Sequence, residues 1–276
     1  MSAIPLLALL LFGCGRHLTP ENLVVVPNER RIVVRVDATF HTLATRGSER
    51  ISSLQPWMDT ACTLETTISL TPNRAFRDGS FGSVLRFEEA TLKTRDGAPL
   101  PLTLAGRTVE LRRFPDGEIL DVDLAEHVIA SDRLLGVFDL LFPLSSPFPP
   151  DLPKDGVTVH RVLLWPVLDD QRNGWYQRAE TDWTLAGTEP FGDRQAHRLE
   201  YAGPWTGQGK DPVGTVPVAL LSRGHASGVL WYDTTTLDLI GQEFHWRRQV
   251  TWTAGRGEAA ATVTQDQDFS GRVTVP

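Results

Sequence analysis

Apolar residues recur with a period of two along most of this chain, and that periodicity constrains the fold more than any other feature of the sequence. Ile32, Val34, Val36, Ala38 and Phe40 share one parity, while Arg35, Asp37, Thr39 and His41 hold the other. Successive side chains of a β-strand point to opposite faces, so such a run is a half-buried strand with one face on a core and one in water. Cys62, Leu64, Thr66, Ile68 and Leu70 repeat the pattern, as do Phe244, Trp246, Val250 and Trp252 against His245, Arg247, Gln249 and Thr251. Ala259, Ala261 and Val263 alternate with Thr262, Thr264 and Asp266. Further strands are expected over 84–94, 107–114, 118–124, 157–167, 175–186, 194–202 and 228–233, with turn signals at Asp78-Gly79, Asp96-Gly97 and Asp116-Gly117. The fold expected is all-β and mostly antiparallel: a curved sheet or half-barrel.

One segment departs from the alternation. Residues 131–142 place apolar side chains, among them Leu135 and Phe138, at helical spacing after Ser131, a suitable N-cap. Pro143, Pro147, Pro149, Pro150 and Pro153 follow as a stiff connector. The expected organisation is therefore an N-terminal β region over 14–130, a helix and proline bridge over 131–155 acting as lid or bridge, and a tryptophan-rich β region over 156–276. Val36–Ala44 and Ala179–Ala186 share a Thr-Leu-Ala ending after an aromatic residue. Echoes of this kind leave open a duplication of the two halves.

The N-terminus carries a second message. Ile4 to Phe12 form an apolar run of export-signal length, too short to span a bilayer as a helix. Leu11-Phe12-Gly13-Cys14 follows and resembles the bacterial lipobox. The resemblance implies that 1–13 is a signal peptide, that Cys14 takes a diacylglyceryl group through a thioether, and that the new amino terminus is acylated. Two or three acyl chains, each buried methylene contributing about 0.8 kcal/mol, hold a protein on a membrane where one chain holds it only reversibly. Gly15 stands where Asp would retain some lipoproteins in the inner membrane. The expected location is the bacterial cell envelope, on the outer membrane facing the periplasm.

The acylated cysteine, long strands, Leu/Phe-rich segment at 134–142, proline bridge, Val-led strand at 157 and closing run Gly228-Val229-Leu230-Trp231-Tyr232-Asp233 together resemble uncharacterised bacterial lipoproteins. More distantly, the chain is similar to the half-barrel lipoprotein and lipid carriers of the envelope. Those carriers hold acyl chains inside a curved sheet closed by a helix, so the resemblance implies such a cavity here.

Composition narrows the function classes. A net charge of −7 argues against nucleic acid, whose phosphates require clustered basic residues; Arg247 with Arg248 is the densest basic spot of the second half. With Cys14 committed to lipid, Cys62 is the one remaining cysteine, and its apolar same-face neighbours predict a buried, inert thiol. No two of the seven histidines lie closer than twenty residues apart, so no local metal-ligand spacing exists, and no metal or cofactor is expected. Gly224-His225-Ala226-Ser227-Gly228 has serine-hydrolase residues in the wrong order and reads as a glycine-rich turn. Gly203 to Lys210 has one residue too many for a phosphate loop and reads as a surface loop. Carboxylates on shared strand faces, such as Asp266 with Asp268, are expected to be solvated.

The aromatic distribution says more. Trp165, Trp175, Trp183, Trp205, Trp231, Trp246 and Trp252 all lie in the second half, out of eight tryptophans in the chain. They either fill a core or wall an apolar pocket. The expected function is a non-enzymatic carrier or binding module for an apolar or acyl ligand, with Trp231, Trp246, Trp252, Leu135 and Phe138 as ligand-binding candidates. The alternatives are a structural or protein-interaction lipoprotein partnered by another envelope protein and, third, a hydrolase.

Overall fold

Among the described residues thirteen strands form one antiparallel sheet. In this computed structural model, residues 30–51, 61–100, 104–113, 119–124, 154–166, 176–213, 216–255 and 260–276 are described. The strands are β1 (Arg30–Arg46), β2 (Glu49–Arg50), β3 (Ala61–Ala75), β4 (Phe81–Thr94), β5 (Pro99–Leu100), β6 (Thr108–Arg113), β7 (Ile119–Leu124), β8 (Thr158–Pro166), β9 (Tyr176–Phe191), β10 (Arg194–Val213), β11 (Val216–Asp233), β12 (Leu239–Ala254) and β13 (Ala261–Thr274). Their spatial order is β7-β6-β4-β3-β1-β13-β12-β11-β10-β9-β8, with β2 and β5 as short additions to β1 and β4. The chain is thus two up-and-down meanders joined at the middle of the sheet by their first and last strands. The outer strands of the order, β7 and β8, approach within 8 Å between Cα atoms without pairing, so the sheet curls strongly but is not closed. Both β regions expected from the sequence contribute to this one sheet, through the β1–β13 ladder from Val33↔Thr274 to Arg46↔Ala261.

The alternation seen in the sequence becomes two faces. Ile32, Val34, Val36, Ala38 and Phe40 of β1 are buried, and so are Cys62, Leu64, Ile68 and Leu70 of β3, Leu85 and Phe87 of β4, and Phe244, Trp246 and Val250 of β12. One continuous apolar cluster runs along this inner face from β6 to β9. The outer face carries Arg35, Asp37, His41, His245, Arg247, Asp266 and Asp268 in mid-strand, a charged surface unlike the apolar band of a transmembrane barrel. Turns form at Asp78-Gly79 and Asp96-Gly97, with Gly79 at φ 82° and Gly97 at φ 87°, while Asp116-Gly117 lies outside the described residues.

Two expectations from glycine content are corrected. Gly203 to Lys210, read as a surface loop, lies within β10, and Gly224 to Gly228, read as a turn, lies within β11. On a strongly curved sheet the inner side chains converge, and glycine lets strands approach: the space of a Cβ is taken by the β9 backbone at Gly203, by the β12 backbone at Gly224, and by rings at Gly228 and Gly271. A Cβ at Gly228 would sit 2.7 Å from the Tyr201 ring, and one at Gly271 would sit 2.3 Å from that of Phe244. Across the sheet the register therefore reads Gly271, Phe244, Gly228, Tyr201, Trp183. Pro204 cannot donate to the β9 ladder, and pairing between those strands lapses at Gly203 and Pro204 before resuming at Trp205↔Ala179. The expected helix over 131–142 lies outside the described residues.

Candidate functional site

The inner face is organised in rows across β1, β13, β12, β11 and β10. In one row Ala38, Phe269, Trp246, Ala226 and Gly203 face one another. Because β11 contributes only alanine or glycine here, Trp246 reaches over it to Trp205 on β10, their rings 5.3 Å apart. Trp246 also stacks on Phe244 at 4.3 Å and lies 6.4 Å from Phe269, whose edge meets Phe40 at 5.6 Å. Trp246 is 1% exposed and Trp205 equally enclosed, so at this level the rings pack against one another. Tyr201 stacks on Trp183 at 4.8 Å. Burial drives the Tyr201 phenol far above its ordinary value, opposed only in part by hydrogen bonds such as that donated by Gln242 Nε2 at 3.4 Å.

The next row, Phe40, Gln267, Arg248, Gly224 and Trp205, brings polar groups into this apolar face. The Arg248 guanidinium lies over Trp205 at 5.5 Å and Phe269 at 5.6 Å, both within cation–π range. Its Nε donates to Gln267 Oε1, Gln267 Nε2 donates to Gln265 Oε1, and Gln265 Nε2 donates to Thr42 Oγ1 at 2.9 Å. Gln265, Gln267 and Thr42 are all buried. A chain of donors running from a guanidinium to a hydroxyl polarises each bond in turn, and in low dielectric that strengthens the whole series.

One row further, Thr42, Gln265, Val250, Ser222 and Gly207 lie abreast. Ser222 is 2% exposed, and its Oγ has no hydrogen-bond partner among the described residues. Beyond it, Ala44, Val263, Trp252, Leu220 and Gly209 form a rim at which Trp252 and Val263 are only half-buried. The opposite end of the face is tighter, with Val34, Val273, Gln242, Leu230 and Leu199 all almost fully enclosed. The inner face thus has a half-open end, a polar belt just inside it, and an aromatic floor.

The sequence-derived candidates distribute unevenly over this arrangement. Trp246 is on the floor and Trp252 at the rim, on the same face. Trp231 belongs to a separate cluster with Ala196, Ile240 and Phe191 on the outer side; its ring lies 4.9 Å from that of Phe191, and its Nε1 donates to Glu189 Oε1 at 2.6 Å. A bulge opposite the Trp231/Tyr232 step presents both Gly241 and Ile240 to that side. Leu135, Phe138 and Cys14 lie outside the described residues. Arg248, Gln265, Gln267 and Ser222 were missed, although a signal existed: Arg248 shares parity with Trp246 and Val250, and the two glutamines with Phe269.

Elsewhere, charge is solvated. Asp268 accepts from His245 Nε2 at 3.0 Å and from Arg247 Nε at 2.7 Å, and Gln249 Nε2 donates to Asp266 at 2.9 Å, beside an open outer hollow of about 520 Å³ that His41 and Arg223 help to line. Among the described residues no three His, Cys, Asp or Glu side chains are placed to hold a metal ion. Cys62 is buried, and desolvation, with a smaller contribution from Asp37, raises its thiol to about 11. No protein-family model matches the chain, and no curated protein matches it.

Proposed function

We propose that this chain is a lipid-anchored protein of the bacterial envelope, held through acylated Cys14, whose curved sheet serves as a non-catalytic binding or carrier module for an apolar or acyl ligand. The observation that carries the reading is the inner face itself: an aliphatic and aromatic surface crossed by one polar belt, half-open at Trp252 and Val263 and closed at the end lined by Val34, Leu199 and Leu230. The Leu11 to Cys14 sequence supports the anchor and the envelope location. Each methylene that an acyl ligand buries contributes about 0.8 kcal/mol against the cost of association.

The close contact of Trp246 with Trp205 and Phe244 favours a second reading, an interaction module that binds no small molecule. One titration separates them. The full chain in lipid nanodiscs, titrated with a dansyl-labelled fatty acid, is expected to show saturable tryptophan-to-dansyl energy transfer that unlabelled fatty acid reverses. Transfer no greater than that from empty nanodiscs carrying a membrane-anchored tryptophan peptide leaves the interaction module as the reading.

A further inference from the structure

Resting on that carrier reading, we infer that the polar belt is a head-group site and that the acyl ligand is a carboxylate, bound head-inward with its chain leaving past Trp252. Three observations converge on it. The first is the Ser222 hydroxyl, 2% exposed, with no partner for its Oγ among the described residues. A buried hydroxyl left unpaired is costly, and native interiors retain one where something else completes it.

The second is the space around that hydroxyl. Ser222 pairs across the strands with Gly207, and its two-residue neighbours along the inner face are Leu220 and Gly224 on β11 and, either side of Gly207, Trp205 and Gly209 on β10. Gly207, directly across, and Gly209, toward the rim, carry no side chain, whereas a Cβ at Gly224 would fall 2.2 Å from the Arg247 carbonyl oxygen, so the β12 backbone closes that side. Elsewhere on this face Gly228 lies beneath Tyr201, Gly271 beneath Phe244, and Gly203 against the β9 backbone.

The third is the charge. Arg248 is diagonal to Ser222 across the β11–β12 ladder, where Ser222 faces Val250 and Gly224 faces Arg248. Its guanidinium is oriented from two sides, by the rings of Trp205 and Phe269 and by the Gln267 oxygen that accepts from Nε. Gln267 is itself fixed by Gln265, and Gln265 by Thr42. A planar donor fork held in place suits a carboxylate, and a hydroxyl donor beside it completes the set. The belt lies one two-residue step inside the rim, about 7 Å along a strand, so a head group there leaves its chain against Trp252, Val263 and Leu220.

The test compares a dansyl-labelled undecanoic acid with the corresponding alcohol on the full chain in nanodiscs, with dansyl-labelled lysophospholipid as a phosphate-bearing arm. The acid is expected to bind at least tenfold more tightly than the alcohol. Arg248→Met should remove that preference while leaving alcohol binding in place. Ser222→Ala should weaken acid binding about threefold to tenfold without lowering the melting temperature of the ligand-free protein, because the hydroxyl it removes has no partner to lose. Equal binding of acid and alcohol, unchanged by Ser222→Ala, overturns the head-group site and leaves the carrier reading intact. Saturable binding of neither overturns the carrier reading itself. Preference for the lysophospholipid over the acid overturns the carboxylate assignment. If Arg248→Met does not fold, the wild-type acid-to-alcohol ratio and Ser222→Ala still decide, and a Ser222→Ala protein that melts earlier with acid affinity unchanged shows that water already satisfies the hydroxyl.

Discussion

Gly228→Ala tests the reason glycines occupy the middle of β11. A methyl there would lie 2.4 Å from the Glu243 carbonyl oxygen and 2.7 Å from two carbons of the Tyr201 ring, all well inside van der Waals contact. The carbonyl belongs to the β11–β12 ladder and cannot retreat without breaking pairing, so the ring and both strands must shift. Overpacking of this kind costs about 1–3 kcal/mol. Displacing Tyr201 also weakens its stack on Trp183, now at 4.8 Å, which contributes about 0.5–1.5 kcal/mol. Against this stands a gain of about 0.5–1 kcal/mol from replacing a flexible glycine in a strand. The net expectation is a loss of roughly 1–4 kcal/mol, or a melting temperature lowered by about 3–12 °C for a chain of this size. Gly82→Ala in β4 is the matched control, since its nearest contacts would be 3.6 Å, ordinary van der Waals distances, and its φ requires no glycine. It should gain about 0.5 kcal/mol. Chemical denaturation of the two variants beside the parent decides the matter, and equal stability of Gly228→Ala and Gly82→Ala would refute the close-approach argument.

Three further outcomes follow from other parts of the molecule. Cys14→Ser should abolish labelling by radioactive palmitate and move the product out of the detergent phase; equal labelling of the mutant removes the lipobox from the argument. With its thiol raised to about 11, Cys62 should alkylate at pH 8 about a hundredfold more slowly than an ordinary cysteine until denaturant opens the sheet, and rapid labelling of the native protein would show that β3 does not bury that side chain. Asp78 is held below the usual carboxylate range chiefly by the Ser80 hydroxyl, with further help from the Ser80 amide and from Arg112 at 2.6 Å. Its stabilisation is present above the ordinary aspartate value and is lost as pH falls through the depressed one. Asp78→Ala should therefore cost less than about 1 kcal/mol at neutral pH, given the exposure of the pair, with the difference from the parent vanishing in strong acid.

How much of this was legible follows from what alternation can and cannot carry. β1, β3, the 84–94 part of β4 and the 244–252 part of β12 were visible because one parity is largely apolar and no glycine falls within those runs. The full lengths of β10 and β11 were hidden because Gly203, Gly224 and Gly228 look like turn formers until what occupies their Cβ positions is known, and those atoms, the backbone of β9 and β12 and the Tyr201 ring, come from other strands. Trp231 was grouped with Trp246 for want of register: parity relates residues within a strand, and only the ladder, with its bulge at Gly241 and Ile240, places Trp231 on the opposite face. The polar belt was within reach. Arg248 sits in phase with Trp246, Val250 and Trp252, and a charge in an apolar register marks either an error of phase or a buried function.

The pairing of β1 with β13 also sets an order of events during synthesis. β1 ends at Arg46 and its partner begins at Ala261, so about 200 residues must emerge between them, which takes roughly 10–40 s at ribosomal speed. Through that interval one edge of β1, from Val33 to Arg46, has unpaired amides and carbonyls, and the apolar faces of β1, β3 and β4 have no opposite wall. Hairpins within each meander can form locally, but the ladder that joins the two meanders waits for the last strand of the chain. A nascent chain of this topology is thus a ready substrate for a holdase, and truncation within the last fifteen residues should unseat the centre of the sheet rather than fray its rim.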